Sequence, residues 1–361
     1  MRNRLAEGSF VRIKQQNNYP PDRDSLSGFF YFAKLSAMNF WQKLKKPIMA
    51  IAPMANVTDA AFRRMFAECG APDVFWTEFV SVEGLLSRGR ERLLPDLWFS
   101  ENEHPIVAQI FGGKPEQFEE VGALIRELKF DGVDINMGCP DTGVEKSGGG
   151  AALINTPGVA KQIIRALKKG VGDMPVSVKT RIGYSKNEIA EWIPSLLEEG
   201  LAALTVHLRT RKEMSDVPAH WDLAPGIVEL RNRLAPQTIL LGNGDIYTLS
   251  DAHARVKESG FDGVMIGRGI FGNPWFFSGR TPDVRERLMT MIKHTELFEE
   301  IYKSNLPKKE GALKNFDVMK KHFKAYVSGW DNAKELRVKL METENASHVR
   351  NIIEKFLASS K

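Results

Sequence analysis

The chain has 361 residues, of which 43% are hydrophobic, enough for one large domain and a smaller one with a real core. The sequence contains no run of about 18 apolar residues and no secretory signal, so we expect no membrane association and a cytoplasmic location. Its two cysteines, Cys69 and Cys139, suit a reducing compartment and are too few for a disulfide framework or a zinc cluster. We therefore expect no bound metal.

The net charge of +5 is distributed unevenly along the chain. Residues 1–48 contain 9 Lys/Arg and 3 Asp/Glu, residues 49–277 contain 24 and 30, and residues 278–361 contain 17 and 12. A basic appendage on an acidic core fits a bound polyanion, because Lys and Arg contacts to phosphates supply most nonspecific affinity for nucleic acids. Solvated surface helices would explain the same charges equally well.

Residues 1–46 are predicted to be an N-terminal extension that is poorly ordered or loosely packed. They have no clean periodicity, and the segment YPPDRDSLSG is typical of turns or disorder. Met38 is a plausible alternative start of the chain. The role of residues 1–37 stays open.

Residues 47–277 alternate between short β-branched runs and helical patterns such as PEQFEEVGALIREL. The eight predicted strands are 48–54, 74–80, 105–112, 132–138, 175–182, 203–209, 238–246 and 263–269. Eight such βα units match a (β/α)8 TIM barrel of roughly 250 residues. The rival fold is a doubly wound open sheet.

Polar side chains fall at or near the carboxyl ends of seven different predicted strands. They are Glu78, Gln109, Asn136, Lys179, His207, Asn243 and Arg268. In a closed barrel those ends meet at one mouth, where the active site lies, whereas an open sheet would spread them along an edge. The pattern therefore favours the barrel.

After Phe277 the alternation stops, and helical patterns fill the rest of the chain. We expect residues 278–361 to form a smaller all-α helical domain, with a loop at 304–312 between its first two helices.

The motif DINMGCP places Cys139 at the end of the fourth strand, before the stretch Gly148-Gly149-Gly150. An unperturbed thiol has a pKa of about 8.5 and is mostly protonated near neutral pH, so Cys139 could act as a proton donor. The alternative is a small buried hydrophobe, which is the assignment we make for Cys69.

Lys179 and His207 lie on the fifth and sixth strands. A lysine inside a barrel can form a Schiff base with a carbonyl substrate, or it can hold negative charge on a cofactor. The alternatives are a salt-bridged lysine at a strand end and a histidine satisfied within the core.

The last two strands end in the glycine-containing turns GNGDI (242–246) and GRG (267–269). Barrels that hold a phosphate do so at these two loops, and Arg268 can pair with a phosphate through two hydrogen bonds. Together with Cys139, Lys179 and His207, these loops outline a flat, phosphate-bearing cofactor, which flavin mononucleotide (FMN) fits.

Seven motifs in this order make the chain resemble the tRNA-dihydrouridine synthases over about residues 47–357. They are IAPMANVTDAAFR, QIFG, DINMGCP, VKTRIG, VHLRTR, GNGDI and GVMIGRGIFGNPW. The stretch MKKHFKAYVSGWDNAKELR also resembles the helical tRNA-binding domain of that family. The resemblance implies FMN as cofactor, NADPH as reductant and tRNA as substrate. We also expect a monomer, although the sequence does not fix the oligomeric state.

The resemblance also implies roles for individual residues. The flavin ring would be contacted by Pro53, Met54, Ala55 and Gln109, with Lys179 near its N1 and O2 edge and His207 close by. The ribityl phosphate would be held by Asn243, Gly244, Asp245, Gly267 and Arg268. The tRNA would be bound by Asn136, Arg209, Arg211, Lys308, Lys309, Lys320, Lys321 and Lys324.

The implied reaction is the reduction of the uracil C5=C6 bond. Hydride from flavin N5 would add at C6, and Cys139 would then protonate C5. Because a uridine in folded RNA is stacked or paired, the base must first be drawn out into the barrel mouth.

One loop departs from the family pattern, since several members carry basic residues soon after the CP, whereas this chain has Asp141-Thr142-Gly143. Three other functions stay open. They are an FMN enzyme like dihydroorotate dehydrogenase acting on a free pyrimidine, an inactive RNA-binding module, and a Schiff-base aldolase using Lys179.

Overall fold

The computed structural model describes residues 39–303 and 313–359 of the chain. The predicted N-terminal extension up to residue 38 lies outside the described residues, as do the predicted loop 304–312 and the two lysines Lys308 and Lys309. Those predictions stay untested.

All eight predicted strands are confirmed. They are β1 (Ile48–Ile51), β2 (Phe75–Ser81), β3 (Ile106–Phe111), β4 (Gly132–Met137), β5 (Val176–Arg181), β6 (Ala203–His207), β7 (Ile239–Asn243) and β8 (Gly263–Ile266). The predictions for β1, β7 and β8 extended about three residues too far at the carboxyl end. At these ends the backbone already turns into the loops of the barrel mouth.

The strands form a closed parallel barrel, as expected from the sequence. Their order is β1-β8-β7-β6-β5-β4-β3-β2, and every neighbouring pair is parallel. A parallel bridge between Ala50 and Val74 joins β1 to β2, with a hydrogen bond from Ile51 N–H to the Val74 carbonyl at 3.2 Å. The rival open sheet is therefore wrong.

Helices cover the barrel and continue after it. Around the barrel lie α1 (Phe40–Lys43), α2 (Ala60–Cys69), α3 (Val82–Leu85), α4 (Arg90–Leu93), α5 (Glu116–Glu127), α6 (Thr142–Lys146), α7 (Pro157–Val171), α8 (Ile189–Leu197), α9 (Ala224–Leu234) and α10 (Leu249–Ser259). After it come α11 (Val284–Tyr302), α12 (Lys320–Tyr326), α13 (Ala333–Met341) and α14 (Ala346–Ser359).

Two hydrophobic clusters hold these layers together. The larger one fills the barrel and the space beneath its helices, where β4, for example, is buried along its whole length. The smaller one packs α11 to α14 against Ala60 and Ala61 of α2 and against Trp275. The helices after Phe277 thus rest directly on the barrel. Within the described ranges, no helix is long and apolar enough to cross a bilayer.

Candidate active site

The Cys139 thiol lies on the loop after β4, and hydrogen bonds fix that loop from both sides. Asn136 Oδ1 accepts hydrogen bonds from the backbone N–H groups of Gly138 at 3.1 Å and Cys139 at 2.9 Å. The Cys139 carbonyl accepts a hydrogen bond from Ala151 N–H at 2.9 Å. Gly150 has φ +60°, and a Cβ there would lie 2.7 Å from that carbonyl, so only glycine fits beside the cysteine.

The Cys139 thiol is half-buried, and burial raises its pKa above the ordinary value. A backbone hydrogen bond from Asp141 and the nearby Lys179 and Arg181 cations favour the thiolate, but they do not outweigh burial. At neutral pH the group is therefore a protonated thiol, which is the form that a general acid requires.

Asn136 also belongs to a chain of hydrogen bonds that crosses three neighbouring strands. Its Nδ2 donates to Gln109 Oε1 at 3.1 Å, and Gln109 Nε2 donates to Asp134 Oδ2 at 2.7 Å. Ser177 Oγ donates to Asp134 Oδ1 at 2.6 Å. Burial raises the pKa of Asp134 to about 6, against the opposing effect of these hydrogen bonds. All four side chains are buried, so the network fixes their orientation.

Lys179 projects from β5 towards the same mouth. Burial, with a smaller contribution from the Arg181 cation, lowers the pKa of Lys179 to about 8, while Asp134 and Cys139 act in the opposite direction. Its Nζ makes no hydrogen bond or salt bridge to the described residues. The side chain is thus a largely protonated ammonium with free donors at neutral pH.

Arg181 is a site residue that the sequence reasoning missed. Its Nε donates to the Gly138 carbonyl at 2.8 Å, and its Nη1 donates to the carbonyls of Thr210 and Met214 at 2.9 and 3.0 Å. It therefore links the loop that carries Cys139 to the loop after β6. The signal was present, because Arg181 follows Lys179 by two residues and so faces the same side of β5.

Four side chains from the carboxyl ends of β6, β7 and β8 form one network. Arg209, which is buried, donates to His207 Nε2 at 3.2 Å and to the Asp245 carboxylate. Asp245 Oδ1 also accepts a hydrogen bond from Arg268 at 2.7 Å. Burial, followed by the nearby Arg181 cation, lowers the pKa of His207 well below its ordinary value, so its imidazole is neutral.

These side chains surround a cavity of about 300 Å³ at the carboxyl ends of the strands. Ten of its lining residues were predicted from the sequence: Pro53, Met54, Lys179, His207, Arg209, Asn243, Gly244, Asp245, Gly267 and Arg268. Arg181 and Pro140, which follows Cys139, line it as well. Among the described residues, the lining carries four Lys or Arg side chains and one carboxylate, so it favours an anionic ligand.

Other predicted site residues lie outside this lining. Gln109 and Asn136 are buried in the hydrogen-bond network, and the Ala55 side chain is exposed. Arg211 forms a salt bridge with Glu145. On α12, Lys320 pairs with Asp317 at 2.6 Å, while Lys321 and Lys324 are exposed.

A second hollow, of about 520 Å³, lies at the amino ends of β5, β6 and β7. Its lining includes Val176, Ala202 and Thr238, and it contains none of the site residues predicted from the sequence. The larger hollow therefore lies at the end of the barrel opposite the predicted site residues.

Comparisons with known proteins match nearly the whole described chain. Residues 50–361 match the family model described as dihydrouridine synthase (Dus). A "Probable tRNA-dihydrouridine synthase" of Staphylococcus aureus (strain Mu50) is 43% identical over 324 residues, which is 89% of this chain and 96% of the relative. A "Probable tRNA-dihydrouridine synthase 2" of Bacillus subtilis (strain 168) is 41% identical over 88% of this chain and 96% of its own length. A solved structure of a variant of NCR from Zymomonas mobilis covers 66% of this chain and 89% of its own, with 19% identity and a TM-score of 0.45.

Proposed function

The chain belongs to the dihydrouridine synthase family, and from that premise we propose that it reduces the C5=C6 bond of specific uridines in tRNA to 5,6-dihydrouridine. The observation that carries the proposal is the protonated Cys139 thiol next to a cation-lined cavity at the carboxyl end of the barrel. A reaction that adds hydrogen across a carbon–carbon double bond needs such a proton donor.

FMN fits the cavity as the cofactor. The lining cations suit its phosphate, and a Cβ built on Gly267 would meet nothing closer than 3.8 Å, which leaves room for a phosphate near that backbone. We assign the phosphate to Gly267, Arg268 and the turn 243–245. When bound, FMN would supply the reducing electrons, with NADPH as the external reductant.

The side chains around the flavin ring would be Pro53, Met54, Gln109, Lys179 and His207. The unpaired Lys179 ammonium can hold negative charge on the cofactor. Its pKa of about 8 keeps it mostly protonated at neutral pH, which argues against the alternative of an amine nucleophile in a Schiff-base aldolase. Ala55 would contribute through its backbone, because its side chain is exposed.

Cys139 would transfer the Sγ proton to C5 of the uracil ring. The two N–H bonds to Asn136 and the Arg181 bond to the Gly138 carbonyl keep this loop in place while the thiol reacts. Asn136 and Arg209 are our candidates for contacts to the uridine, together with Arg211 once its salt bridge with Glu145 opens.

We assign residues 47–277 to the flavin-binding domain and residues 278–361 to the tRNA-binding domain. The exposed Lys321 and Lys324, with the neighbouring Lys320, would contact the RNA backbone, because exposed cations can pair with phosphates without desolvation of a buried site. We propose that the enzyme acts as a monomer in the cytoplasm, where tRNA is its partner.

Two measurements test the function. Purified protein reconstituted with FMN should show the absorption bands of bound flavin, and no such bands would exclude any flavin-dependent reaction. In a strain without the gene, mass analysis of tRNA should find dihydrouridine missing at one or more positions. Unchanged dihydrouridine in a strain that has no second family member would contradict the proposal.

A further inference from the structure

A buried ion pair joins β2 to the helical region, which is the part of the chain after Phe277 that contains α11 to α14. Lys314, which precedes α12, forms a salt bridge with Glu78, and the two side chains are only 9% and 5% exposed. Lys314 Nζ also lies 2.8 Å from Asp96 Oδ1 and 5.3 Å from the centre of the Tyr302 ring. Burying such charges is costly, and removing one partner leaves the other uncompensated.

The second oxygen of the Glu78 carboxylate holds the loop between β1 and α2. Glu78 Oε1 accepts a hydrogen bond from the Asn56 backbone N–H. Asn56 has φ +53°, a left-handed conformation that few residues other than glycine adopt without strain. Pro53 and Met54 of the same loop line the cavity at the barrel mouth. Glu78 thus connects the buried lysine to one wall of that cavity.

The carboxyl-terminal end of the loop is held from the helical region too. Tyr302 of α11 accepts a hydrogen bond through its hydroxyl oxygen from Ala60 N–H at 3.0 Å. Within the loop, Thr58 Oγ1 accepts a hydrogen bond from Met54 N–H at 2.9 Å. Two residues from the helical region therefore hold the loop 52–59 next to the cavity. Tyr302 contacts it by a hydrogen bond at Ala60, and Lys314 acts on it through Glu78.

We propose that Lys314 is a positioning residue for the cofactor cavity: it fixes Glu78, and Glu78 fixes the Asn56 N–H and with it the wall formed by Pro53 and Met54. The identity of the ligand as FMN rests on the proposed function. The arrangement makes the geometry of the barrel mouth depend on the docking of the helical region.

The test compares Lys314→Met with Lys314→Met/Glu78→Gln. The single variant leaves the Glu78 carboxyl buried without its cation, whereas the double variant removes that buried charge and keeps an oxygen acceptor for Asn56. Asp96, whose side chain is 26% exposed, loses its cation equally in both variants. FMN titration of the deflavinated protein should give a dissociation constant raised about tenfold in the single variant and restored to within about threefold of wild type in the double variant. Hydrogen exchange at the Asn56 amide should accelerate in the single variant.

Lys293→Met is the matched control. Lys293 of α11 also pairs with the barrel, at Glu68 of α2, but its side chain is 58% exposed. This variant should change neither the FMN dissociation constant nor exchange at Asn56. If Lys314→Met does not fold, Glu78→Ala and Glu78→Gln are compared instead. Only Glu78→Ala removes the acceptor for the Asn56 N–H. In both variants Lys314 retains its salt bridge with Asp96.

Wild-type exchange at Asn56 together with wild-type FMN affinity in a folded Lys314→Met protein would overturn the inference. So would equal effects of Glu78→Ala and Glu78→Gln on these two readouts. If the wild-type protein binds no FMN, the proposed cofactor is wrong, while exchange at Asn56 still decides whether Lys314 positions the loop.

Discussion

The two ends of the barrel each have a hollow and a partly buried lysine, but only the lysine at the amino end has hydrogen-bond partners among the described residues. At the amino end, Lys168 Nζ donates to the Gly200 carbonyl at 2.6 Å and also to the Glu199 carbonyl. At the carboxyl end, Lys179 makes no hydrogen bond to the described residues. Burial lowers the pKa of both lysines. A buried cation without a partner is costly unless a ligand pairs with it, and this favours our proposal that the smaller, carboxyl-end cavity is the functional site.

Removing the thiol should have the largest effect. Cys139→Ala should lower the rate of uracil reduction about a thousandfold, because it removes the general acid but no flavin contact. Stopped-flow reoxidation of reduced enzyme by tRNA measures this rate, and a spectroscopic FMN titration should be unchanged. Cys69→Ala is the control, and it should turn over at the wild-type rate. A fully active Cys139→Ala variant would remove Cys139 from the mechanism.

Lys179→Met should weaken FMN binding about 30-fold, because a hydrogen bond to a charged group is lost. The pH dependence gives a second test. The pKa of Lys179 is about 8, so the ammonium loses its charge as the pH rises through that value, and wild-type affinity for FMN should fall there. The affinity of Lys179→Met should be flat over the same range. Parallel profiles for the two proteins would show that Lys179 does not hold the cofactor.

Charge reversal on α12 should act on tRNA alone. The triple variant Lys320→Glu, Lys321→Glu and Lys324→Glu should weaken tRNA binding about tenfold at low salt and reduce the salt dependence of binding. Filter binding over a salt series measures both. Reversal of three cations on α7, the half-buried Lys161 and the exposed Arg165 and Lys169, changes the net charge equally and should leave tRNA affinity near wild type. All three are paired with glutamates, so the fold of this variant is checked by circular dichroism. Equal losses in the two variants would mean that net charge, not position, governs binding.

The smallest effect is expected at the amino end of the barrel. Lys168→Met removes hydrogen bonds to two backbone carbonyls and should lower the free energy of unfolding by about 1 kcal/mol, measured by denaturant titration. Its FMN affinity should match wild type. A loss of FMN affinity comparable to that of Lys179→Met would contradict the assignment of FMN to the carboxyl end of the barrel.

The sequence predicted the barrel because each strand is short, apolar and followed by a helical pattern, and because polar residues fall at or near the carboxyl ends of seven predicted strands. It also predicted ten lining residues of the cavity, since strand ends and glycine turns are local features that a sequence displays. Arg181 could have been found from its spacing to Lys179, as both face one side of β5.

Other parts of the site depend on contacts between distant segments. Lys314 and Glu78 are separated by 236 positions, and no local pattern marks them as a pair. The salt bridge between Arg211 and Glu145, which occupies a predicted tRNA contact, is likewise visible only once the loops after β4 and β6 meet. Such pairs follow from tertiary packing, so propensity and periodicity could not predict them.

The choice between tRNA and a free pyrimidine as substrate can be measured in one experiment. Reduced, FMN-loaded enzyme is supplied with unmodified tRNA or with free uridine and orotate, and the products are analysed by mass spectrometry. If tRNA is the substrate, uridine in tRNA gains two hydrogen atoms while the free pyrimidines stay unreduced at the same concentration. Reduction of a free pyrimidine at an equal or greater rate, or tRNA that emerges unchanged, would contradict it.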